Sequence, residues 1–298
     1  MKDTLLLIDA NSLIHRAYHA LPPFTSKNGK PAGALYGVSS ILLNIFRDGL
    51  DGVKPSYIIA AFDTPEPTFR DKEYKDYKAT RAKTEDDLIS QLKESQNLIR
   101  AFGIKTIELP GWEADDIIAT LAEKFKRSES IEKIMIFSGD LDSLQVVDGN
   151  KVVSVVPQKG ITNTTTYNEE GVMGRFGVLP VAVADYKGLV GDKSDNIPGV
   201  PGIGPKTASA LINKFGTLEA AYEELESMGL SDLKLQAKLK DHKEQALMSK
   251  RLALLDRQAP IEVTLKDLGE PIDLKGASVL SYLEELGFKS LIERLGKL

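Results

Sequence analysis

Through the first 160 residues, short apolar runs alternate with stretches whose apolar positions recur at helical spacing. The runs TLLLID (4–9), SYIIAAF (56–62), KTIEL (105–109), KIMIFS (133–138) and KVVSVV (151–156) read as strands, and 34–47, 85–102 and 114–127 read as helices. Alternation of this kind predicts βαβ units and a mainly parallel sheet. Thr84 with Asp87 resembles a capping box opening the second helix, and Gly103 offers its C-terminal stop. From about residue 168 the strand pattern fades into short helices punctuated by Gly and Pro. The expected division is an α/β core over 1–172 and a helical domain over 173–298.

One segment fits neither pattern. Between the second strand and the helix from residue 85 lie some twenty polar, aromatic and basic residues, DTPEPTFRDKEYKDYKATRAKT, too long for an ordinary βα loop. An insertion of this length is expected to be functional or disordered.

Composition narrows the chemistry. The 298 residues include no cysteine and three scattered histidines, which removes disulfides, thiolate nucleophiles and zinc-thiolate sites. Any metal would need oxygen ligands. No run of about 18 apolar residues occurs and the apolar stretch near Met1 is interrupted at Asp9, so neither a membrane span nor a signal peptide is expected, and a cytoplasmic location follows. The net charge of −5 argues weakly against a polyanionic partner, yet basic residues gather at 69–83 and 234–251.

The acids are grouped by strand. The first strand ends in Asp9, the second in Asp63; the third leads to Glu113, Asp115 and Asp116, and the fourth to Asp140 and Asp142. Ligands of open α/β sheets bind at the carboxyl ends of strands, so these acids are expected at one edge. Singly, each reads equally well as a turn or first-turn residue. Together they would repel one another unless cations intervened, and an all-oxygen set selects Mg²⁺ or Mn²⁺. Asp140 and Asp142 at i, i+2 would share one face of an extended segment. Asp192 and Asp195 at i, i+3 would share one face of a turn. The cluster suits two-metal phosphodiester hydrolysis.

GVPGIGPKT (199–207) fails as a phosphate-binding P-loop, because Pro205 separates Gly204 from Lys206 and no strand precedes it. Helices at 180–189 and 205–214 around it would make a helix-hairpin-helix, with Pro205 at the first helical position. Its glycines and helix N-terminus would grip a phosphate backbone without reading sequence. A plain tight turn remains the alternative.

The blocks LLIDANSLIHRAYHALPPF, AAFDTPEPTFRDKEYKDYKATR, GWEADDIIATLA, FSGDLDSLQVV and GLVGDKSDNIPGVPGIGPKTASALI resemble, in order and over essentially the whole chain, those of the bacterial 5′ nuclease family. That family comprises the 5′–3′ exonuclease domain of DNA polymerase I and its stand-alone relatives, similar to flap endonucleases. The resemblance implies a PIN-like mainly parallel α/β core, a helical arch inserted at about 64–100, and a C-terminal helical domain whose helix-3-turn-helix places its hairpin at 198–205. It implies two Mg²⁺ (or Mn²⁺) ions on Asp9, Asp63, Glu113, Asp115, Asp116, Asp140, Asp142, Asp192 and Asp195, with Asp142, Asp192 and Asp195 on the second ion and Asp140 near both. Lys78 and Arg81 would act on the scissile phosphate, with Asp116 and Asp140 counted as catalytic. Arg16, Arg70, Tyr77, Lys78 and Arg81 would meet the substrate, Tyr77 beneath a flipped end nucleotide. Gly199, Gly202, Ile203, Gly204, Lys206 and Thr207 would hold the duplex, with K⁺ at the hairpin.

The implied substrate is DNA with a 5′ flap, nick or single-stranded 5′ end, RNA-primed ends included, and the implied enzyme is a monomer working beside a DNA polymerase or as the nuclease piece of one. Setting nine acids aside turns a net charge of −5 into +4, so net acidity and DNA binding are compatible. A catalytically silent flap-binding module and a PIN-type ribonuclease are the alternative readings.

Overall fold

The computed structural model describes residues 3–158, 163–227, 232–268, 274 and 278–298. Its centre is a six-stranded sheet of β1 (Asp3–Asp9), β2 (Tyr57–Phe62), β3 (Lys105–Glu108), β4 (Ile131–Phe137), β5 (Val152–Pro157) and β6 (Thr164–Tyr167), in the order β3-β2-β1-β4-β5-β6. All pairings are parallel except that of β6, which runs antiparallel to β5 at the edge. The short polar TTTY of β6 has no apolar run to announce it, so pairing with β5 is what makes it a strand.

Both faces of the sheet are covered, which is why the central strands β1 and β2 read as unbroken apolar runs rather than alternating ones. Alternate residues of β1 serve opposite layers: Leu6 and Ile8 pack with α1 (Ala10–Ala20), α2 (Gly33–Asp48) and α4 (Asp86–Ala101), whereas Leu5 and Leu7 pack with α5 (Ala114–Phe125). Chain direction across the sheet reverses about β1, which lies between β2 and β4, so a crevice opens at the carboxyl ends of those strands.

Two local expectations are corrected. The helix α4 starts at Asp86 with Glu85 as N-cap, one residue later than the Thr84–Asp87 box requires, and that box is not made. Gly103, at φ +76°, does end the helix. The insertion folds into α3 (Phe69–Glu73), opened by a Thr68–Asp71 capping box, followed by tight turns. Of the span 64–100 expected to form an arch, the part from Asp86 onward belongs to the core layer, because Leu88, Leu98 and Ile99 of α4 are buried there.

The helical half comprises α6 (Glu169–Phe176), a 3-10 turn at Pro180–Ala182, α7 (Val183–Val190), α8 (Pro205–Phe215), α9 (Leu218–Ser227), α10 (Leu233–Asp241) and α11 (Lys243–Ala253). Tyr186, Leu189, Ile203, Leu211 and Leu239 share its own core. The expected helix at 180–189 is thus a 3-10 turn running into α7. After Ala253 the chain returns to the sheet: Leu255 and Val263 join the α5 layer, and Val279, Leu283, Phe288 and Leu291 of α12 (Val279–Leu286) and α13 (Lys289–Leu295) pack on the α2–α4 layer. The tail of the expected domain 173–298 is therefore part of the first domain's packing. Among the described residues no helix is long and apolar enough to cross a membrane.

Candidate active site

A cleft of 1280 Å³ opens between the sheet's carboxyl edge and the helical half. Its floor holds Asp9, Asp63, Glu113, Asp115 and Asp140 from the sheet side and Asp192 from the helical side; Arg16, Lys78, Arg81 and Lys83 line its walls. The acids reach this place by different local means. Asp9 is the last residue of β1 and also the N-cap of α1, accepting from Ser12 N (3.0 Å) and Ser138 Oγ (2.8 Å). Asp63 follows β2 and accepts from Ala114 N at 2.7 Å, which ties it to the start of α5. Glu113 is the N-cap of α5 and Asp115 lies in its first turn, where the helix dipole favours negative charge.

Four carboxylates gathered here, those of Asp9, Asp63, Asp115 and Asp140, have no cation paired with them among the described residues. Burial, then the nearby Asp63, pushes the Asp9 carboxyl up to about 7. Burial, then the charges of Asp9, Asp140 and Asp63, raises Asp115 well above the usual carboxylate range. Burial likewise raises Asp140, against the pull of Lys187. Asp115 Oδ1 is buried without a hydrogen-bond partner. An orphaned carboxylate oxygen among acids that resist ionising together is the pattern a hard divalent cation relieves. Asp9, Asp63, Asp115 and Asp140 thus fit such an ion.

The second group of acids is paired with basic side chains. Lys187 of α7 is 5% exposed, and its ammonium contacts Asp142 and lies 2.6 Å from Asp192 Oδ2. Asp195 is 2.6 Å from Arg81 and 4.0 Å from Lys78, and the Tyr77 hydroxyl sits 3.1 Å from its Oδ2 and 3.2 Å from Glu113 Oε2. Lys78 Nζ donates to Glu113 Oε1 at 2.6 Å. The left-handed backbone at Lys78 (φ +55°) and its N–H to Asp195 O (2.9 Å) seat the insertion directly on the acids. Among the described residues no three acid or histidine side chains close into a ready-made ligand shell.

The structure separates several residues expected to act together. Asp116 is fully buried, and both its oxygens are taken, by the Arg70 guanidinium (2.7 and 2.8 Å) and by the N–H groups of Asp256 (2.8 Å) and Glu113 (3.1 Å). It has no lone pair directed at the cleft and is not placed as a metal ligand. Arg70, 1% exposed, also donates to Leu252 O and Leu254 O at 2.8 Å, so its guanidinium is engaged within the fold. Its own burial disfavours the cation, but Asp116's hydrogen bonds and charge outweigh that and raise its pKa. Tyr77 is 6% exposed, with no open ring face for a nucleotide. Asp140 Oδ1 accepts from Asp142 N (3.0 Å) and Asp142 begins a 3-10 helix, so the two side chains do not share a face. Asp192 and Asp195 likewise part: a bridge between Asp192 and Ile197 closes their loop, with one acid at Lys187 and the other at Arg81.

The hairpin is built as a turn between α7 and α8. Gly199 has φ +62° and lies so close to Gly191 that a Cβ would come within 2.2 Å of the Gly191 nitrogen. It is buried, donating to Ser249 Oγ (3.1 Å) and accepting from Gln245, and Ile203 is buried in the helical core. Gly202, Gly204 and Lys206 are exposed and Thr207 is half-buried at the N-terminus of α8. Arg16 lines the cleft while its guanidinium is held by Pro157 O and Gln158 O. Sequence reasoning missed Lys187: in VADYKGLV a single lysine reads as the polar face of a helix, and only its spacing of five from Asp192 hinted otherwise.

Comparison with known proteins agrees with this architecture. Residues 4–177 match the family model of the 5′-3′ exonuclease N-terminal resolvase-like domain, and 178–273 that of the 5′-3′ exonuclease C-terminal SAM fold. The chain is 40% identical to DNA polymerase I of Bacillus subtilis over 98% of its length, but spans only 32% of that relative. It is 37% identical to a 5′-3′ exonuclease of Aquifex aeolicus, covering 99% of this chain and 96% of the relative. Among solved structures, a bacteriophage T5 flap endonuclease complexed with DNA and metal ions superposes with a TM-score of 0.66 at 19% identity, over 99% of this chain and 97% of that one. With both halves matched in order and a full-length relative, the chain belongs to the 5′-3′ exonuclease family.

Proposed function

We propose that this chain is a structure-specific 5′-3′ exonuclease and 5′-flap endonuclease that hydrolyses DNA phosphodiester bonds with two Mg²⁺ ions. The observation that carries the reading is the convergence of acids from the ends of β1, β2 and β4, and from the start of α5, on one cleft that also receives Asp192 from the helical half. Asp9, Asp63, Asp115 and Asp140, with Glu113, would hold one ion, and Asp142, Asp192 and Asp195 the other. Bound there, such ions activate water and offset charge at phosphorus.

The chain's own residues do the rest. Lys78 and Arg81, on the wall above the acids, would turn to the scissile phosphate and orient it. The exposed Gly202, Gly204 and Lys206 at the start of α8 would hold the duplex backbone, with K⁺ at this turn as part of the proposal. Because Asp192 and Asp195 lie in the loop that joins α7 to this turn, the grip on the duplex would fix which phosphate reaches the cleft. Primer and flap removal beside a DNA polymerase, by a monomer in the cytoplasm, is the setting we infer; relatives of the polymerase I type carry this region as about a third of their length.

A 5′-flap or nicked duplex incubated with and without Mg²⁺ tests the reading. Cleavage leaving 5′-phosphate and 3′-hydroxyl ends is expected, falling at least about 100-fold in Asp115→Asn and in Asp192→Asn, as for loss of a group acting on the transition state. Cleavage undiminished in both variants would remove these roles. Preference for all-RNA single strands over DNA flaps would move the activity to a ribonuclease.

A further inference from the structure

Resting on the metal reading above, we propose that the Lys187 ammonium is a built-in cation occupying the place of the second divalent ion, so that the second ion binds only by displacing it. The backbone of α7 leaves this lysine little freedom. Asp185, two residues earlier, is 5% exposed, accepts from Leu218 N (2.7 Å) and pairs with Lys250 (2.6 Å). One residue later, Gly188 lies so close to Lys250 and Leu218 that a Cβ would come within 2.9 and 3.0 Å of them. Tyr186 and Leu189 are in the helical core. The helix is thus fixed on both sides of Lys187, whose side chain crosses to Asp142, a residue of the sheet half, and to Asp192.

The contrast between the two acid groups gives the inference its content. Asp115 in the first group keeps a buried oxygen without any partner, and among the described residues no ion pair reaches Asp9, Asp63 or Asp115. Asp142 and Asp192 instead share one ammonium, which offsets one of their two charges without supplying an oxygen-coordinated ion's second charge. A divalent cation entering the first group meets uncompensated carboxylates; one entering the second must first break two charged contacts at the cleft. Lys187 itself lines the cleft, as do the apolar Phe176 and Val190, so its ammonium can swing toward the open space when displaced. Two ions of the same element are therefore taken up in order and with unequal affinity, and the ammonium released by the second faces the side on which an anionic substrate would sit.

Mn²⁺ binding to the metal-free chain, measured by calorimetry and by electron paramagnetic resonance, tests this without reference to cleavage. The wild type is expected to show one tighter and one weaker site. Lys187→Met should strengthen the weaker site at least about tenfold and leave the tighter one unchanged, whereas Lys187→Arg keeps the wild-type pattern. A weaker site unaffected by Lys187→Met, or two equal sites in the wild type, would overturn the inference while leaving the metal reading intact; no Mn²⁺ binding in any variant would overturn both. The wild type supplies a second measurement independent of how the variants fold: acetylation of Lys187, followed by mass spectrometry, should rise over the Mn²⁺ range that fills the weaker site. Labelling that stays constant across that range would also refute displacement.

Discussion

Replacing Arg70 by methionine separates a buried structural role from a DNA contact. In the structure the guanidinium makes two bonds to Asp116, one each to Leu252 O and Leu254 O, and lies 3.4 Å from Glu113, all with 1% of the residue exposed. Methionine fills much of the volume but leaves the Asp116 carboxylate buried with only the N–H groups of Asp256 and Glu113, and strands two main-chain carbonyls. Removing one partner of a buried ion pair costs about 3–5 kcal/mol, because the remaining charge is uncompensated. For a chain of this size about 2 °C of Tm is lost per kcal/mol, so a fall of about 6–10 °C is expected. Thermal and urea unfolding in EDTA would measure it. The double variant Arg70→Met/Asp116→Leu should regain part of the loss, since it removes the stranded charge while leaving two N–H groups without an acceptor. A single variant within about 1 kcal/mol of wild type that instead loses DNA affinity and shows a shallower salt dependence would return Arg70 to the DNA-contact role and refute the burial reasoning.

Other outcomes follow from the same geometry. Gly199→Ala forces a side chain onto the Gly191 backbone at a left-handed φ and should destabilise the fold by roughly 3 kcal/mol or more, seen in urea unfolding. Gly204→Ala meets nothing within 4 Å, so its stability cost should stay near the about 1 kcal/mol of a poorer helix N-cap, while duplex affinity in a gel-shift assay falls if a phosphate approaches that turn. Because Asp9, Asp115 and Asp140 bind protons more readily folded than unfolded, the metal-free chain should lose stability as pH rises from the ordinary carboxylate range to about 7; calorimetry in EDTA between pH 4.5 and 7.5 checks this, and saturating Mg²⁺ should flatten the decline. Tyr77→Phe removes the hydroxyl shared by Glu113 and Asp195 and should loosen the insertion, read as faster proteolysis near Lys78 and Arg81 at little cost in overall Tm.

What the sequence made legible, and what it did not, divides along a physical line. The positions of five strands and the edge at which the acids gather follow from apolar runs and from where each run ends, because a parallel sheet places all its carboxyl termini together; Asp9, Asp63, Glu113, Asp115 and Asp140 line the cleft at that edge. Partnership is a different quantity. Asp115 and Asp116 are neighbours in sequence with the same local propensity, yet a helix turns adjacent residues about 100° apart, so one faces the cleft with an orphaned oxygen and the other faces Arg70, 46 positions away. No local pattern distinguishes them, since the deciding group arrives through the insertion. The same holds for Lys187: its meaning depends on Asp142, brought to it only when the helical half closes on the sheet.

The same division governs how the site's charges are balanced within the chain. Nine acids within one fold would be strongly self-repelling, and the chain limits that cost by placing Arg70 against Asp116, Lys78 against Glu113, Arg81 against Asp195 and Lys187 between Asp142 and Asp192. Of the nine, Asp9, Asp63, Asp115 and Asp140 have no such partner among the described residues, and three of these resist ionisation. The two ways of relieving repulsion, a tethered ammonium or a raised pKa, have opposite consequences for an incoming cation: the first must be displaced, whereas the second merely gives up protons. If that distinction governs assembly of the site, the affinity of the first ion should rise steeply with pH up to about 7, as those protons leave, and that of the second should be set by Lys187 and vary far less. Mn²⁺ titrations of wild type and Lys187→Met at pH 5.5 and 7.5 resolve the two behaviours, and a steep pH dependence confined to the weaker site would contradict the account.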